Sequence, residues 1–189
     1  GRAAPASRPV IAHPLRESEM KTLVIYFSLT GNTEALARMI AERLGADFEA
    51  LRETRPPRGP LGHARRFWAA LWGRGVEIAP PKSDPSAYDL VALGAPVWGA
   101  SAPPVINAYL ALAAPRLPAL AAFCTEGGSG HARLFRQIAA RAGRSLVGTL
   151  AVTEKELAGE AARRKVEAFA GQLARVQPAP PRENGLRFD

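Results

Sequence analysis

The chain has 189 residues, 47% hydrophobic and 22% charged, which is the length and composition of one globular domain rather than of a disordered or membrane protein. Its 25 Lys and Arg outnumber its 17 Asp and Glu, and the net charge of +8 favours anionic partners without choosing among them. The single cysteine, Cys124, excludes an intrachain disulfide. The sequence also has no cluster of Cys and His that could hold zinc, and together these features fit a reducing, cytoplasmic setting. We expect no transmembrane segment, because no apolar run approaches the roughly 20 residues that a spanning helix needs.

The two ends of the chain differ from the rest. Residues 1–19 are rich in Ala, Pro and Arg and show no sustained period, and residues 177–189 hold closely spaced prolines that cannot continue a helix. We therefore expect an extension outside the fold at 1–19, one domain at 20–176 and a proline-rich tail at 177–189.

Predicted strands and helices alternate along residues 20–176. Apolar runs predict strands at 23–27, 47–51, 90–95, 120–125 and 146–152. Apolar residues at helical spacing predict helices at 34–44, at 61–72, after Pro103 and Pro104, at 132–142 and in a last long helix. Gly45 stands where a helix C-terminal glycine belongs, and Thr153 and Glu156 have the spacing of a capping box for the last helix.

This alternation predicts an α/β fold with a doubly wound parallel sheet and helices on both faces. Five strands fit the order 2-1-3-4-5 better than the six-stranded arrangement. The first strand should be central, and the imperfectly alternating second strand should lie near an edge. In this order a crevice opens at the carboxyl ends of strands one and three, so the loops that follow these strands should form the site.

Hydroxyl and amide side chains follow the first strand and lead directly into a helix. The residues are Ser28, Leu29, Thr30, Gly31, Asn32 and Thr33. Hydroxyls around a permissive glycine, together with the free N–H groups of a helix N-terminus, can hold a phosphate dianion without lysine, arginine or a metal. The alternative is a polar turn that only caps the helix, but hydroxyls at all three of positions 28, 30 and 33 favour the phosphate site.

This loop resembles the phosphate loop of the flavodoxin family, a Ser or Thr followed by any residue, Thr, Gly, any residue and Thr, and it matches every fixed position. The resemblance covers about residues 20–176. It implies a flavodoxin-like five-stranded fold and non-covalently bound flavin mononucleotide (FMN). It also implies that the FMN phosphate is held by the side chains of Ser28, Thr30, Asn32 and Thr33 and the backbone of Leu29 and Gly31.

Two further loops complete the resemblance. After strand three come Pro96, Val97, Trp98, Gly99 and Ala100, and after strand four come Thr125, Glu126, Gly127 and Gly128. An aromatic residue at the crevice can stack on a planar ring, although a Trp near a strand end also often serves packing. The resemblance implies that Trp98 stacks on the flavin, that the Gly99 peptide tunes its redox state, and that the Thr-x-Gly-Gly loop covers the other flavin edge.

Neighbouring site classes are excluded by their motifs. The sequence has no G-x-x-x-x-G-K-[ST] and no G-x-G-x-x-G after the first strand, which argues against a nucleoside triphosphatase or a dinucleotide fold. A cysteine phosphatase would need an Arg six positions after its Cys, where this chain has Gly130, so Cys124 is interpreted as a buried core residue. His131 is either a proton donor to flavin or substrate, or a solvent-facing helix start.

The sequence predicts the cofactor better than the reaction, because FMN performs the electron and hydride chemistry itself. An electron carrier and an FMN-dependent oxidoreductase both stay open. The redox partner is a protein or a small acceptor such as a quinone, and NAD(P)H stays open as a donor. The flavodoxins that shuttle electrons are typically acidic, whereas this chain is basic, which argues against an ordinary shuttle.

The basic segment 52–74 has two interpretations. It holds Arg52, Arg55, Arg58, Arg65, Arg66 and Arg74 against Glu53. Its predicted helix either packs its aromatic side chains on the sheet or presents a basic aromatic surface to a quinone, an anionic substrate, an acidic protein or a membrane face. The alternative function is that of a flavodoxin-fold protein without FMN, a basic interaction or nucleic-acid-binding module, although nucleic acid is not the expected partner.

Overall fold

A computed structural model describes residues 20–54, 76–99 and 101–176. The strands are β1 Thr22–Tyr26, β2 Asp47–Ala50, β3 Leu90–Pro96, β4 Ala119–Glu126 and β5 Leu146–Thr153. The helices are α1 Asn32–Leu44, α2 Pro104–Ala113, α3 His131–Ala142 and α4 Glu160–Leu173, with short 3₁₀ turns at Pro85–Ala87 and Ala114–Arg116. Several predictions lie outside the described residues: the extension at 1–19, the helix at 61–72 with residues 55–74 of the basic segment, Ala100, and the tail at 177–189.

The five strands form one parallel sheet in the order β2-β1-β3-β4-β5, as predicted. Strands β1 and β3 pair in the centre, where all five residues of β1 are buried. Strand β2 lies at the edge and its first two residues are exposed, which confirms the expectation from its imperfect alternation. The winding therefore reverses between β1 and β3, and a crevice opens at their carboxyl ends.

The sheet has an apolar core on each face. Alternating side chains of β1 enter opposite cores, with Leu23 and Ile25 in one and Val24 and Tyr26 in the other. Helices α2 and α3 cover the first core, and helices α1 and α4 cover the second. Because both faces are covered, the central strands need apolar residues at every position, and this is why they read as continuous apolar runs.

The ends of the five predicted strands, and of the predicted helices at 34–44 and 132–142, agree with the structure to within about two residues, the ordinary uncertainty of a helix or strand end. The predicted capping box is wrong. The N–H and hydroxyl of Thr153 do donate to the Glu156 carboxylate, at 2.8 and 3.0 Å, but they close a turn ahead of the helix. Helix α4 begins only at Glu160, after Gly159. Lys165 binds the same carboxylate at 2.8 Å, and this contact holds Glu156 in the turn.

Within the described ranges, no helix combines the length and the apolarity that crossing a membrane would require. The same ranges contain no group of three or more His, Cys, Asp and Glu side chains that could hold a metal ion.

Candidate functional site

The three predicted loops leave the sheet side by side. Tyr26 at the end of β1 pairs with Gly94, and Pro96 at the end of β3 pairs with Thr125. Hydrogen bonds extend this pairing past the strand ends, because the Phe27 N–H donates to the Gly94 carbonyl at 3.0 Å and the Val97 N–H donates to the Thr125 carbonyl at 2.9 Å. The loops after β1, β3 and β4 therefore start side by side, at the carboxyl ends of the three strands.

The loop after β1 turns at Gly31 and opens helix α1. Gly31 has a φ of 94°, a left-handed conformation that favours glycine. Its N–H donates to the Ser28 hydroxyl at 3.1 Å, and its carbonyl accepts the Ala35 N–H at 2.9 Å. No side chain caps the start of α1, and Leu29, Thr30 and Gly31 are exposed. The uncapped first turn, with half-buried Ser28 and Asn32 beside it, forms a concave surface lined by hydrogen-bond donors.

Thr33 differs from the rest of this loop because it faces the protein interior. Only 1% of its surface is exposed, and its hydroxyl lies 2.8 Å from the hydroxyl of Thr125, which is also buried. This bond joins the first turn of α1 to the end of β4, and so it joins the first and third loops. A hydroxyl has one donor and two acceptor positions, so each of the two threonines retains hydrogen-bonding capacity beyond this bond.

The loop after β3 is a tight turn. Trp98 and Ser101 exchange backbone hydrogen bonds, at 3.2 Å from the Trp98 N–H and 2.8 Å from the Ser101 N–H. Gly99 lies inside the turn with a φ of 53°. The Trp98 ring is half-buried and meets the Phe27 ring edge-on, with centroids 5.8 Å apart. Trp98 thus packs against Phe27, just past β1, while the residue stays partly accessible, and its stacking on a flavin stays a prediction.

Gln137 fastens the loop after β3 to helix α3, and the sequence provides no signal for this contact. Its side-chain Oε1 accepts the Ala102 N–H at 2.9 Å, across 35 positions of the chain. The contact ties the far end of the Trp98 turn to the helix that follows the third loop. The second and third loops are therefore fixed to each other as well as to the sheet.

The loop after β4 consists of exposed Gly127, Gly128 and Ser129 and half-buried Gly130, and it follows a buried carboxylate. The side chain of Glu126 is 4% exposed, and it accepts the His131 N–H at 3.1 Å and contacts the His131 Nδ1 at 2.8 Å. His131 begins α3 and its side chain is 46% exposed. The sequence predicted a site at Glu126 but not the role of its side chain, although an acidic residue that ends a buried strand is a usable signal.

Cys124 is fully buried in the core, as predicted. Burial, and secondly the negative charge of Glu126, raises its pKa to about 12. The thiol stays protonated at neutral pH, so Cys124 does not act as a nucleophile.

A cleft of about 430 Å³ adjoins the first loop on its β2 side. Ser28, Leu29 and Glu34 line one wall, and Arg52 and Glu53 line another. The cleft extends the concave surface at the start of α1 toward the basic segment, and the sequence did not predict it.

Comparison with known proteins agrees with this architecture. A flavoprotein from Lactobacillus acidophilus NCFM, solved in complex with FMN, superposes with a TM-score of 0.62 at 21% identity, covering 74% of this chain and 97% of that one. A protein from Bacteroides eggerthii DSM 20697, provisionally named a flavoprotein, superposes with a TM-score of 0.66 at 21% identity, covering 82% of this chain and 96% of that one. Oxidised flavodoxin 2 from Bacillus cereus superposes with a TM-score of 0.54 at 19% identity, covering 82% of this chain and 97% of that one.

No curated protein matches the chain by sequence. The family model described as flavodoxin, however, matches residues 21–173. Because this match spans most of the chain, and because the solved structures share its fold, the chain belongs to the flavodoxin family.

Proposed function

We propose that this chain binds FMN non-covalently and transfers electrons through it. The observation that carries the proposal is that three loops lie side by side at the carboxyl ends of β1, β3 and β4. The first of these loops leads into helix α1, whose N-terminus has no side-chain cap. The Lactobacillus acidophilus protein of the same fold was solved with FMN. A cytoplasmic setting belongs to the same proposal, since the described Cys124 is a free thiol.

The first loop suits the phosphate end of FMN. The left-handed Gly31 turn and the uncapped start of α1 offer backbone N–H groups, and the positive end of the helix dipole favours an anion there. The exposed Thr30 and the half-buried Ser28 and Asn32 add polar side chains. We propose that these residues, together with the backbone of Leu29, Gly31 and Thr33, hold the phosphate.

The second and third loops suit the ring end of FMN. The accessible part of Trp98 offers an aromatic surface beside the Gly99 turn, where the positive φ favours glycine and the lack of a β-carbon leaves the peptide open to a ligand. Leu29, 48% exposed, adds an apolar contact at the rim. When bound, FMN supplies one-electron and hydride chemistry, and the residues of this chain bind it, orient it and exclude water from its ring.

The proposal is tested by the visible absorption spectrum of the purified protein after addition of FMN and desalting. We expect a retained flavin band in the wild type. Thr30→Ala should raise the dissociation constant for FMN about tenfold or more, as expected for losing a hydrogen bond to a charged group. Riboflavin lacks the phosphate, so its affinity should stay unchanged. Thr149→Ala, at an exposed threonine of β5, is the matched control. A wild-type protein that retains no flavin would refute the proposal.

The redox partner is the finer part of the proposal. We propose exchange with a partner protein or with a small acceptor such as a quinone, because the polypeptide itself need only position the flavin. If the chain is an NAD(P)H-dependent oxidoreductase, anaerobic mixing of the FMN-loaded protein with NADH or NADPH should reduce the flavin and bleach its visible absorption band. Reoxidation by a quinone after chemical reduction, without reaction toward either nucleotide, would instead identify a carrier.

A further inference from the structure

Glu126 is a buried carboxylate with both oxygens engaged by a single residue. One oxygen accepts the His131 N–H at 3.1 Å, and the other lies 2.8 Å from the His131 Nδ1. The carboxylate is 4% exposed, whereas the imidazole reaches solvent with 46% of its side-chain surface. A buried carboxyl group without partners would be strongly unfavourable, so this pair of contacts offsets the cost of burying the Glu126 side chain at the end of β4.

These contacts close a loop that has little else to define its shape. Three of the four residues between Glu126 and His131 are glycines, whose backbone freedom makes an open loop costly to order. The strand side of the loop is anchored where the Glu154 N–H donates to the Glu126 carbonyl at 3.0 Å. The helix side is anchored where the Leu134 N–H donates to the Gly130 carbonyl at 3.1 Å. The Glu126 side chain joins these two anchors.

The glycines at 127 and 128 have no explanation inside the described protein. Neither has a positive φ, and a β-carbon built on either would meet no described atom within 4 Å. Backbone conformation and packing therefore do not require glycine at these two positions. Close approach of a ligand would account for glycine here, because a side chain would stand between the backbone N–H groups and a bound molecule.

We propose that Glu126 is a positioning residue for the ring side of the flavin site. Through His131, its carboxylate holds the loop of Gly127, Gly128, Ser129 and Gly130 in the shape that receives the edge of the isoalloxazine. The inference rests on the proposed FMN function and adds a specific role to it. It differs from a simple helix cap, which would stabilise α3 but would leave flavin affinity unaltered.

The test measures affinity for FMN and for riboflavin in the same variants, together with urea unfolding of the flavin-free protein. Glu126→Ala should weaken both flavins by the same factor, about tenfold, because the loss is on the ring side that both share. Glu126→Gln keeps an oxygen acceptor for the His131 N–H and should recover most of the affinity. Glu154→Ala removes a neighbouring exposed carboxylate and should change neither affinity.

A second variant guards against misfolding. His131→Ala removes only the ring contact, leaves its backbone N–H bonded to Glu126, and should weaken both flavins by about two- to fivefold. The proposal is overturned if Glu126→Ala and His131→Ala lower only the unfolding midpoint, or if they weaken FMN while riboflavin binding is unchanged. A wild-type protein that binds neither flavin overturns the proposed function itself. If the wild type binds both flavins and the two variants bind them with unchanged affinity, only the proposed role of Glu126 is overturned.

Discussion

Gly94 in β3 is the position where a single methyl group should disturb this fold most clearly. A β-carbon there would lie 2.2 Å from Cζ of Phe123 and 2.3 Å from its Cε2. Phe123 is fully buried in the core between the sheet and helices α1 and α4, so its ring has no solvent to move into. The Gly94 carbonyl also accepts the Phe27 N–H, which places the strain beside the loop that follows β1.

We expect Gly94→Ala to destabilise the protein by about 1–3 kcal/mol, the range for inserting a methylene-sized group into a packed core. In a protein of this size each kcal/mol corresponds to a fall of about 2–4 °C in Tm. Phe123→Leu opens a cavity and destabilises by itself. It also removes the ring atoms that collide, so the double variant should be less destabilised than the sum of the single variants by about 1 kcal/mol or more.

Urea unfolding followed by circular dichroism measures these differences through the midpoint and the slope. Gly171→Ala in α4 is the matched control, because a β-carbon there meets no described atom within 4 Å, and alanine is the better helix former. It should raise stability by up to about 1 kcal/mol. If Gly94→Ala is as stable as the wild type, or if its effect simply adds to that of Phe123→Leu, the steric argument is wrong.

Three further predictions concern polar contacts. Thr33→Val and Thr125→Val should each cost about 1–3 kcal/mol by leaving a buried hydroxyl without its partner, and the double variant should cost less than their sum in urea unfolding. Hydrogen bonding to Lys165, and then to Thr153, lowers the pKa of Glu156 to about 2 from 4.5. The stabilisation of the folded state by ionised Glu156 is therefore present above about pH 4.5 and lost as the pH falls toward 2. In urea-unfolding midpoints measured from pH 6 to pH 2, Glu156→Gln should remove this part of the loss of stability in acid. Arg144 donates to the carbonyls of Leu117, Pro118 and Ala114. Arg144→Lys should therefore lower the free energy of unfolding by about 1 kcal/mol or more. An unchanged urea-unfolding midpoint would show that lysine can replace the guanidinium at this position.

The architecture could be predicted from the amino-acid sequence, because the patterns that encode it are local. A strand covered on both faces must be apolar at each residue, and a helix on a sheet must be apolar at helical spacing, so both leave their period in the chain. The number and order of these segments then restrict the topology to few choices. The loop that we propose holds the phosphate could be predicted for the same reason, since its hydroxyls and Gly31 lie close together in the sequence.

The side chains that complete the loops could not be predicted in this way, because their partners come from distant parts of the chain. The bond between Thr33 and Thr125 spans 92 positions and turns a predicted phosphate hydroxyl toward the interior. The contact between Gln137 and Ala102 likewise follows from the placement of α3 beside the Trp98 turn. The Thr153 and Glu156 pair shows the same limit, because Lys165 on the following helix holds the carboxylate in a turn that the local spacing had assigned to a cap. Such contacts depend on how separate elements pack, and spacing along the chain does not encode the distance between two elements after folding.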